Sequence, residues 1–251
     1  MDAPVIPDPF PSEPIYVSER ARVIYGDARE VLAGVATESI DLVVVDPPYG
    51  IEWRSGFRQE TFDQLHGDGA DQRDGVRQIL SECVRVVGQN RHLYVFGPTD
   101  VVDGLKTTAP VELVWAKQVI GAGDLTAPWG PQHEPISFLV SKHRHAGQAG
   151  STGNVAARLR KGSVLTHPRP TGRKVRHPSE KPVSLLAELI ESSSRSDELV
   201  LDPCAGSGAT GVAAILRGRR CLLIESHEKY AHLAAERVAE AERIIERAEA
   251  A

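Results

Sequence analysis

Asp46, Pro47, Pro48 and Tyr49 form a block, DPPY, that closes the apolar run Leu42–Val45. Proline has no amide hydrogen and a locked φ, so Pro47 and Pro48 end any β-ladder and stiffen the backbone. A carboxylate and an aromatic ring are thereby held firmly at the mouth of a strand. Such rigidity suits a site that must aim a group. Pro-Pro followed by Gly50 also suits a plain turn.

A second constellation is LVLDPCAGSGATG, residues 199–211, a glycine-rich turn between an apolar run and a helical pattern. Such a turn lets a nucleotide-like ligand approach the backbone and offers it the N–H groups of a helix start. A tight strand-to-helix turn without a ligand carries the same glycines. Glu225 ends the next apolar run, CLLIE, 23 residues after Asp202. That is near the spacing at which an acid meets a ribose hydroxyl pair. The same carboxylate could cap a helix instead. The combination favours an adenosine-containing cofactor, but the pattern is not G-x-G-x-x-G and offers no obvious pyrophosphate cradle.

The elements that must carry these blocks alternate along the chain. RVIYG (22–26) and IDLVVV (40–45) read as strands, with a short helix in AREVLAGV between them. Residues 52–72 are polar and glycine-bearing and read as a loop. In VRQILSECVRVV, Val76, Ile79, Leu80, Cys83 and Val87 form a helical stripe. HLYVFG, VELVWAK and PISFLVSK read as strands, with a helix expected after Thr99. EKPVSLLAELIESS reads as a helix with Pro182 in its first turn and Val183, Leu186, Ala187 and Ile190 inward. The segment from Glu228 onward is helical, with Leu233, Ala234, Val238, Ala241 and Ile245 inward. This alternation predicts an α/β fold: a mostly parallel, doubly wound sheet with helices on both faces. Ligands of such sheets bind outside the carboxyl ends of the strands. Both blocks therefore fall on one edge.

The chain has 251 residues, 41% of them apolar and 25% charged, which supports a sizeable core in a soluble protein. No apolar run is long enough to span a membrane, and the proline-rich start lacks a secretory pattern. Cys83, Cys204 and Cys221 lack disulfide or metal spacing, so reduced thiols in a cytoplasm are expected, with no metal site. The net charge of −5 argues against a nucleic-acid partner, but its distribution argues the other way. Between Glu134 and Glu180 there is no acidic residue, while Arg158, Arg160, Lys161, Arg169, Arg173, Lys174 and Arg176 crowd its second half. A charge run can be a solvated face, or it can track phosphates. The expected layout is an arm over residues 1–21 and a main domain over 22–140 and 177–251. A basic insertion occupies 141–176.

Taken together, these blocks resemble the S-adenosylmethionine-dependent amino-methyltransferases of DNA, in the permuted β class where D-P-P-Y precedes the cofactor loop. The resemblance runs from about Arg22 to Arg237. YGDA, with Asp27, resembles the early element beside the cofactor adenine. HPSEKPVSLLAELI resembles the family's helix start, where Ser179 and Lys181 would meet the methionine end. DPCAGSGAT resembles the cofactor loop, which implies Asp202, Pro203, Ala205, Gly206 and Gly208 as binding residues beside Glu225. VWAK and HEPISFLVSK resemble the late strands, and IESHEKYAHLAAERV the acid-Tyr-Arg pattern after the loop. The resemblance implies a Rossmann-like methyltransferase fold, S-adenosylmethionine as cofactor and double-stranded DNA as partner. It also allows a homodimer.

The chemistry gives each catalytic residue a reason. An exocyclic amine is a poor nucleophile because its lone pair is delocalised into the ring. Asp46 would accept one amino hydrogen and the Pro47 carbonyl the other, aiming the lone pair at the methyl group, with Pro48 holding the turn. Tyr49 would stack on a base flipped out of the duplex. Adenine N6 and cytosine N4 are the same kind of amine; Asp at the first position leans towards adenine in this family. The basic residues of 141–176 would carry target recognition. Rival readings are an RNA or protein-amide methyltransferase, a silent DNA-binding protein, and a dehydrogenase in which DPPY has no role.

Overall fold

The computed structural model describes residues 13–48, 72–119, 128–141, 161–170 and 180–250. Its centre is a nine-stranded sheet. In chain order the strands are β1 (Pro14–Val17), β2 (Ala21–Tyr25), β3 (Ile40–Val45), β4 (Val87–Phe96), β5 (Val111–Ala116), β6 (His133–Val140), β7 (Val164–Thr166), β8 (Leu199–Asp202) and β9 (Arg220–Glu225). The helices are α1 (Ala28–Ala33), α2 (Gln72–Val86), α3 (Val183–Ser193), α4 (Ala209–Leu216) and α5 (Glu228–Glu249). Across the sheet the order is β1-β2-β9-β8-β3-β4-β6-β5-β7. β2, β9, β8, β3 and β4 are mutually parallel, while β1 is antiparallel to β2 and β6 is antiparallel to both its neighbours.

The period-2 alternation of β3 shows why the sheet is wound on both faces. Leu42 and Val44 join one core with residues of α3, α4 and α5. Val43 and Val45 join the other, with residues of α1 and α2. A strand buried on both sides reads as a continuous apolar run, which is how IDLVVV could be recognised. β3 and β8 lie side by side, with Leu42 opposite Val200 and Val43 opposite Leu201. The helix after β3 covers one face and the helix after β8 covers the other. The two chains diverge at their carboxyl ends, and a crevice opens there by topology alone.

Several expectations change. Pro14–Val17 is an edge strand rather than part of a loose arm, because Tyr16 and Ser18 both donate to the buried Glu242 of α5. The expected helix after Thr99 is a single 3₁₀ turn, Thr99–Val102. Pro182 is the N-cap of α3, one position before its first turn. Leu185 and Leu189 are buried in α3 in addition to most of the predicted stripe. The expected loop lies outside the described residues except at its end, where Gln72 begins α2. β7 falls inside the basic stretch and pairs with β5, so that stretch is partly sheet and not wholly an insertion.

One buried polar trio crosses from the sheet to α3. The Nδ1 of His92 and the hydroxyl of Tyr94 each lie 2.6 Å from Ser193 Oγ. Burial depresses the imidazole pKa from the ordinary 6.5 to about 4. The unfolded chain therefore takes up a proton below about pH 6.5 that the folded chain refuses, and stability falls with acid. Between pH 7 and pH 5 the loss is about 2 kcal/mol. Urea midpoints at the two pH values check this; the difference should shrink in His92→Gln.

Candidate active site

Asp46 follows β3 directly, with Pro47 buried behind it. Its Oδ2 lies 2.7 Å from the Lys181 ammonium, which is only 8% exposed. The same Nζ is 3.0 Å from Glu134 Oε1, and Glu134 Oε2 is 3.2 Å from Lys117. Burial alone would lower the Lys181 pKa, but Asp46 and Glu134 outweigh it and hold the ammonium above its ordinary value. Burial likewise pushes Glu134 up, and Lys181 and Lys117 more than reverse it. Tyr49 lies outside the described residues.

The glycine loop begins at Asp202, the last residue of β8. Its Oδ2 accepts from Thr210 Oγ1 at 2.5 Å and its Oδ1 from the Cys204 N–H at 3.0 Å. Burial raises the carboxyl to about 7, these two donors hold it down, and Asp46 and Glu225 add to the rise. Pro203 and Ala205 are buried, and Gly206 and Gly208 take positive φ of 51° and 77°. Glu225, the last residue of β9, accepts from the Gly206 N–H at 2.7 Å and the His227 N–H at 2.8 Å. It thus ties the loop and holds the residue that starts α5. A carboxylate retains lone pairs for hydroxyl donors beyond these two. Asp27 caps α1 by accepting from the Arg29 N–H at 2.8 Å and is ion-paired with the Arg29 side chain. The hydrogen bond from Arg29 holds its carboxyl below the usual range, against burial.

Asp27, Glu225, Asp202 and Asp46 therefore sit at the carboxyl ends of four neighbouring strands, β2, β9, β8 and β3. S-adenosylmethionine carries a sulfonium, an ammonium and a ribose diol. An acidic row beside a glycine loop fits that set of charges and donors. Arg237 of α5 fastens the loop from outside, donating to the Ser207 carbonyl at 2.8 Å and pairing with Glu180 at 2.9 Å. The acid-Tyr-Arg pattern after the loop thus acquires a physical role in Arg237. Ser179 lies outside the described residues. Lys181 stands against Asp46, where the resemblance had assigned it to the cofactor's methionine end.

Of the basic residues, Lys161 and Arg169 are described; Arg158, Arg160, Arg173, Lys174 and Arg176 lie outside the described residues. Lys161 is paired with Glu188 of α3 at 3.1 Å, and Glu188 also meets His167 at 2.7 Å. Arg169 is exposed, just past the end of β7 that faces the same edge as Asp46. Sequence reasoning missed Glu134 as a partner of Lys181. The two residues lie 47 positions apart in separate motifs, and nothing local joins them. Among the described residues no helix is long and apolar enough to cross a membrane.

Comparison with known proteins adds a third kind of observation. A family model described as DNA methylase, N6_N4_Mtase, matches residues 40–236. DNA adenine methyltransferase YhdJ of Escherichia coli (strain K12) is 27% identical over 85% of this chain and 81% of its own. Type II methyltransferase M.HinfI of Haemophilus influenzae is 25% identical over 87% of this chain and 68% of its own. Among solved structures, the cytosine-N4-specific PvuII DNA methyltransferase superposes with a TM-score of 0.69 at 15% identity, covering 94% of this chain and 96% of that one. The M1.HpyAVI–SAM complex does so at 0.65 and 18% identity, covering 87% and 98%.

Proposed function

Because the chain belongs to the DNA methylase family of N6 and N4 amino-methyltransferases, which use S-adenosylmethionine, we propose that it methylates adenine N6 in double-stranded DNA. The observation that carries the reading is the adjacency of Asp46 and the glycine loop. They leave the paired strands β3 and β8 on one edge, so an acceptor for a base amine stands beside a cofactor site. Asp at the first position of DPPY supports adenine, as does the likeness to YhdJ over most of both chains.

When bound, S-adenosylmethionine supplies an electrophilic methyl on a positively charged sulfur. The chain's own residues do the rest. Asp202, Glu225 and the backbone of Pro203, Ala205, Gly206 and Gly208 bind the cofactor, with Asp27 and Ser179 flanking them. Asp46 accepts one hydrogen of the amine and the Pro47 carbonyl the other. This turns the nitrogen lone pair out of conjugation and fixes its direction. The amino proton that departs already points at Asp46. Tyr49 stacks on the extruded base for roughly 1–3 kcal/mol, offsetting part of an unstacking cost of a few kcal/mol. Arg158, Arg160, Lys161, Arg169, Arg173, Lys174 and Arg176 would face the duplex. Lys161 must then leave or share Glu188. A homodimer and a cytoplasmic location complete the reading, the former tested by sedimentation of the full chain.

Cytosine N4 is the second reading, since the same two acceptors serve it. Incubation with labelled S-adenosylmethionine and unmethylated genomic DNA, followed by nucleoside mass spectrometry, separates the two. N6-methyladenine is expected. N4-methylcytosine would keep the mechanism and overturn the base. Folded, cofactor-binding protein that methylates neither would overturn the proposed function.

A further inference from the structure

We propose that Lys181 is a positioning residue for Asp46, held in turn by Glu134, rather than a contact for the cofactor. The inference rests on the reading of Asp46 as acceptor of the base amine. Three neighbouring strands, β3, β4 and β6, supply Asp46, Phe96 and Glu134 at the same edge of the sheet. Lys181 spans them. Its ammonium is 2.7 Å from Asp46 Oδ2 and 3.0 Å from Glu134 Oε1, and lies 5.1 Å from the centroid of the Phe96 ring. An ammonium has three donors, and two are committed to carboxylates.

The stem of Lys181 is anchored on both flanks. Glu180 is paired with Arg237 of α5, and the Pro182 carbonyl accepts the N–H groups of Leu185 and Leu186 at 3.1 and 3.2 Å, which opens α3. On its far side Glu134 is tied to Lys117, whose ammonium lies 5.0 Å from the Trp115 centroid. Charges alternate along Asp46, Lys181, Glu134 and Lys117, so each neutralises the next. Fixing Oδ2 sets the plane of the Asp46 carboxylate, and with it the direction from which an amine hydrogen can be accepted. Without Lys181, Asp46 and Glu134 would lose the cation between them, and the contact that holds Oδ2 would be gone.

The test uses the full chain with saturating DNA. Lys181→Met should lower kcat by about 10²-fold while the Kd for S-adenosylmethionine stays within about threefold. Lys181→Arg should recover part of the rate. In an Asp46→Asn background, Lys181→Met should cost little further, because both changes remove one interaction. Multiplicative losses in that background would overturn the inference. So would a tenfold or greater rise in cofactor Kd with kcat retained, the mark of a methionine-end contact. If Asp46→Asn has no measurable rate, the split between kcat and Kd decides. If Lys181→Met does not fold, Glu134→Gln carries the test. It should lower kcat about 3–10-fold at unchanged cofactor Kd, and an unchanged kcat overturns the inference. Wild-type activity in Asp46→Ala would remove the acceptor reading and this one together. An inactive Asp46→Ala with an unaffected Lys181→Met would overturn the positioning role alone.

Discussion

Asp46→Ala should reduce single-turnover methyl transfer by about 10²–10³-fold while S-adenosylmethionine still binds. The loss is large because, in the proposed mechanism, the carboxylate acts on the reacting nitrogen itself. In that mechanism it selects the amine orientation in which the lone pair is not in the ring. Asp46→Asn should fall between, since the amide keeps a carbonyl acceptor without the charge. Both variants also leave Lys181 with one carboxylate fewer. Breaking a buried pair from one side is costly, about 3–5 kcal/mol for a fully buried case. Asp46 retains 18% side-chain exposure and Glu134 stays within reach, so the cost here should be smaller. Thermal melts of each variant, run beside the rates, separate the two effects. An Asp46→Ala protein with wild-type rate would remove Asp46 from the chemistry.

Gly208→Ala should destabilise the fold and loosen the cofactor loop at once. Gly208 sits at φ 77°, in the left-handed region, as the N-cap of α4. A side chain there costs about 1–3 kcal/mol in backbone strain. A Cβ would also come within 2.7 Å of Ala234 Cβ and 2.8 Å of Ala234 Cα, and the Cα belongs to the backbone of α5. Backbone cannot yield as a side-chain tip can, so α4 and α5 must part. Together the two effects should cost about 2–4 kcal/mol, lowering Tm by about 5–15 °C. The Kd for S-adenosylmethionine should rise in folded protein at low temperature, because the loop shifts with its cap. An unchanged melt would mean that Gly208 is spared both the strain and the clash.

The local parts of this protein were legible in one dimension. IDLVVV, with turn residues at its end, gave the bounds of β3 to the residue. The apolar stripe Val76, Ile79, Leu80 and Cys83 marked the body of α2, although Val87, expected to close it, begins β4 instead; the glycine turn after Leu201 marked the start of α4. DPPY and DPCAGSG could be placed on one edge, because both follow strands of a parallel sheet. These signals act within a few residues, through β-branching, helical period, proline geometry and glycine's reach into positive φ. Edges and short pieces were harder. β1 holds four residues and β7 three, too few to show a period, and each is fixed by what it packs against.

By itself, then, the sequence determined an α/β chain of the amino-methyltransferase type, with DPPY and a glycine loop each after a strand and the order in which they come. The tertiary structure decided which groups meet. Lys181 reaches Asp46 across 135 residues and Glu134 across 47, and only the insertion of β6 beside β4 brings both within range of one ammonium. Arg237 likewise finds Ser207 from 30 residues away. Side-chain pairs of that separation are set by strand order and helix docking, which are global minima of burial rather than local preferences. That is why DPPY could be read from the chain, while the lysine that meets its carboxylate could not.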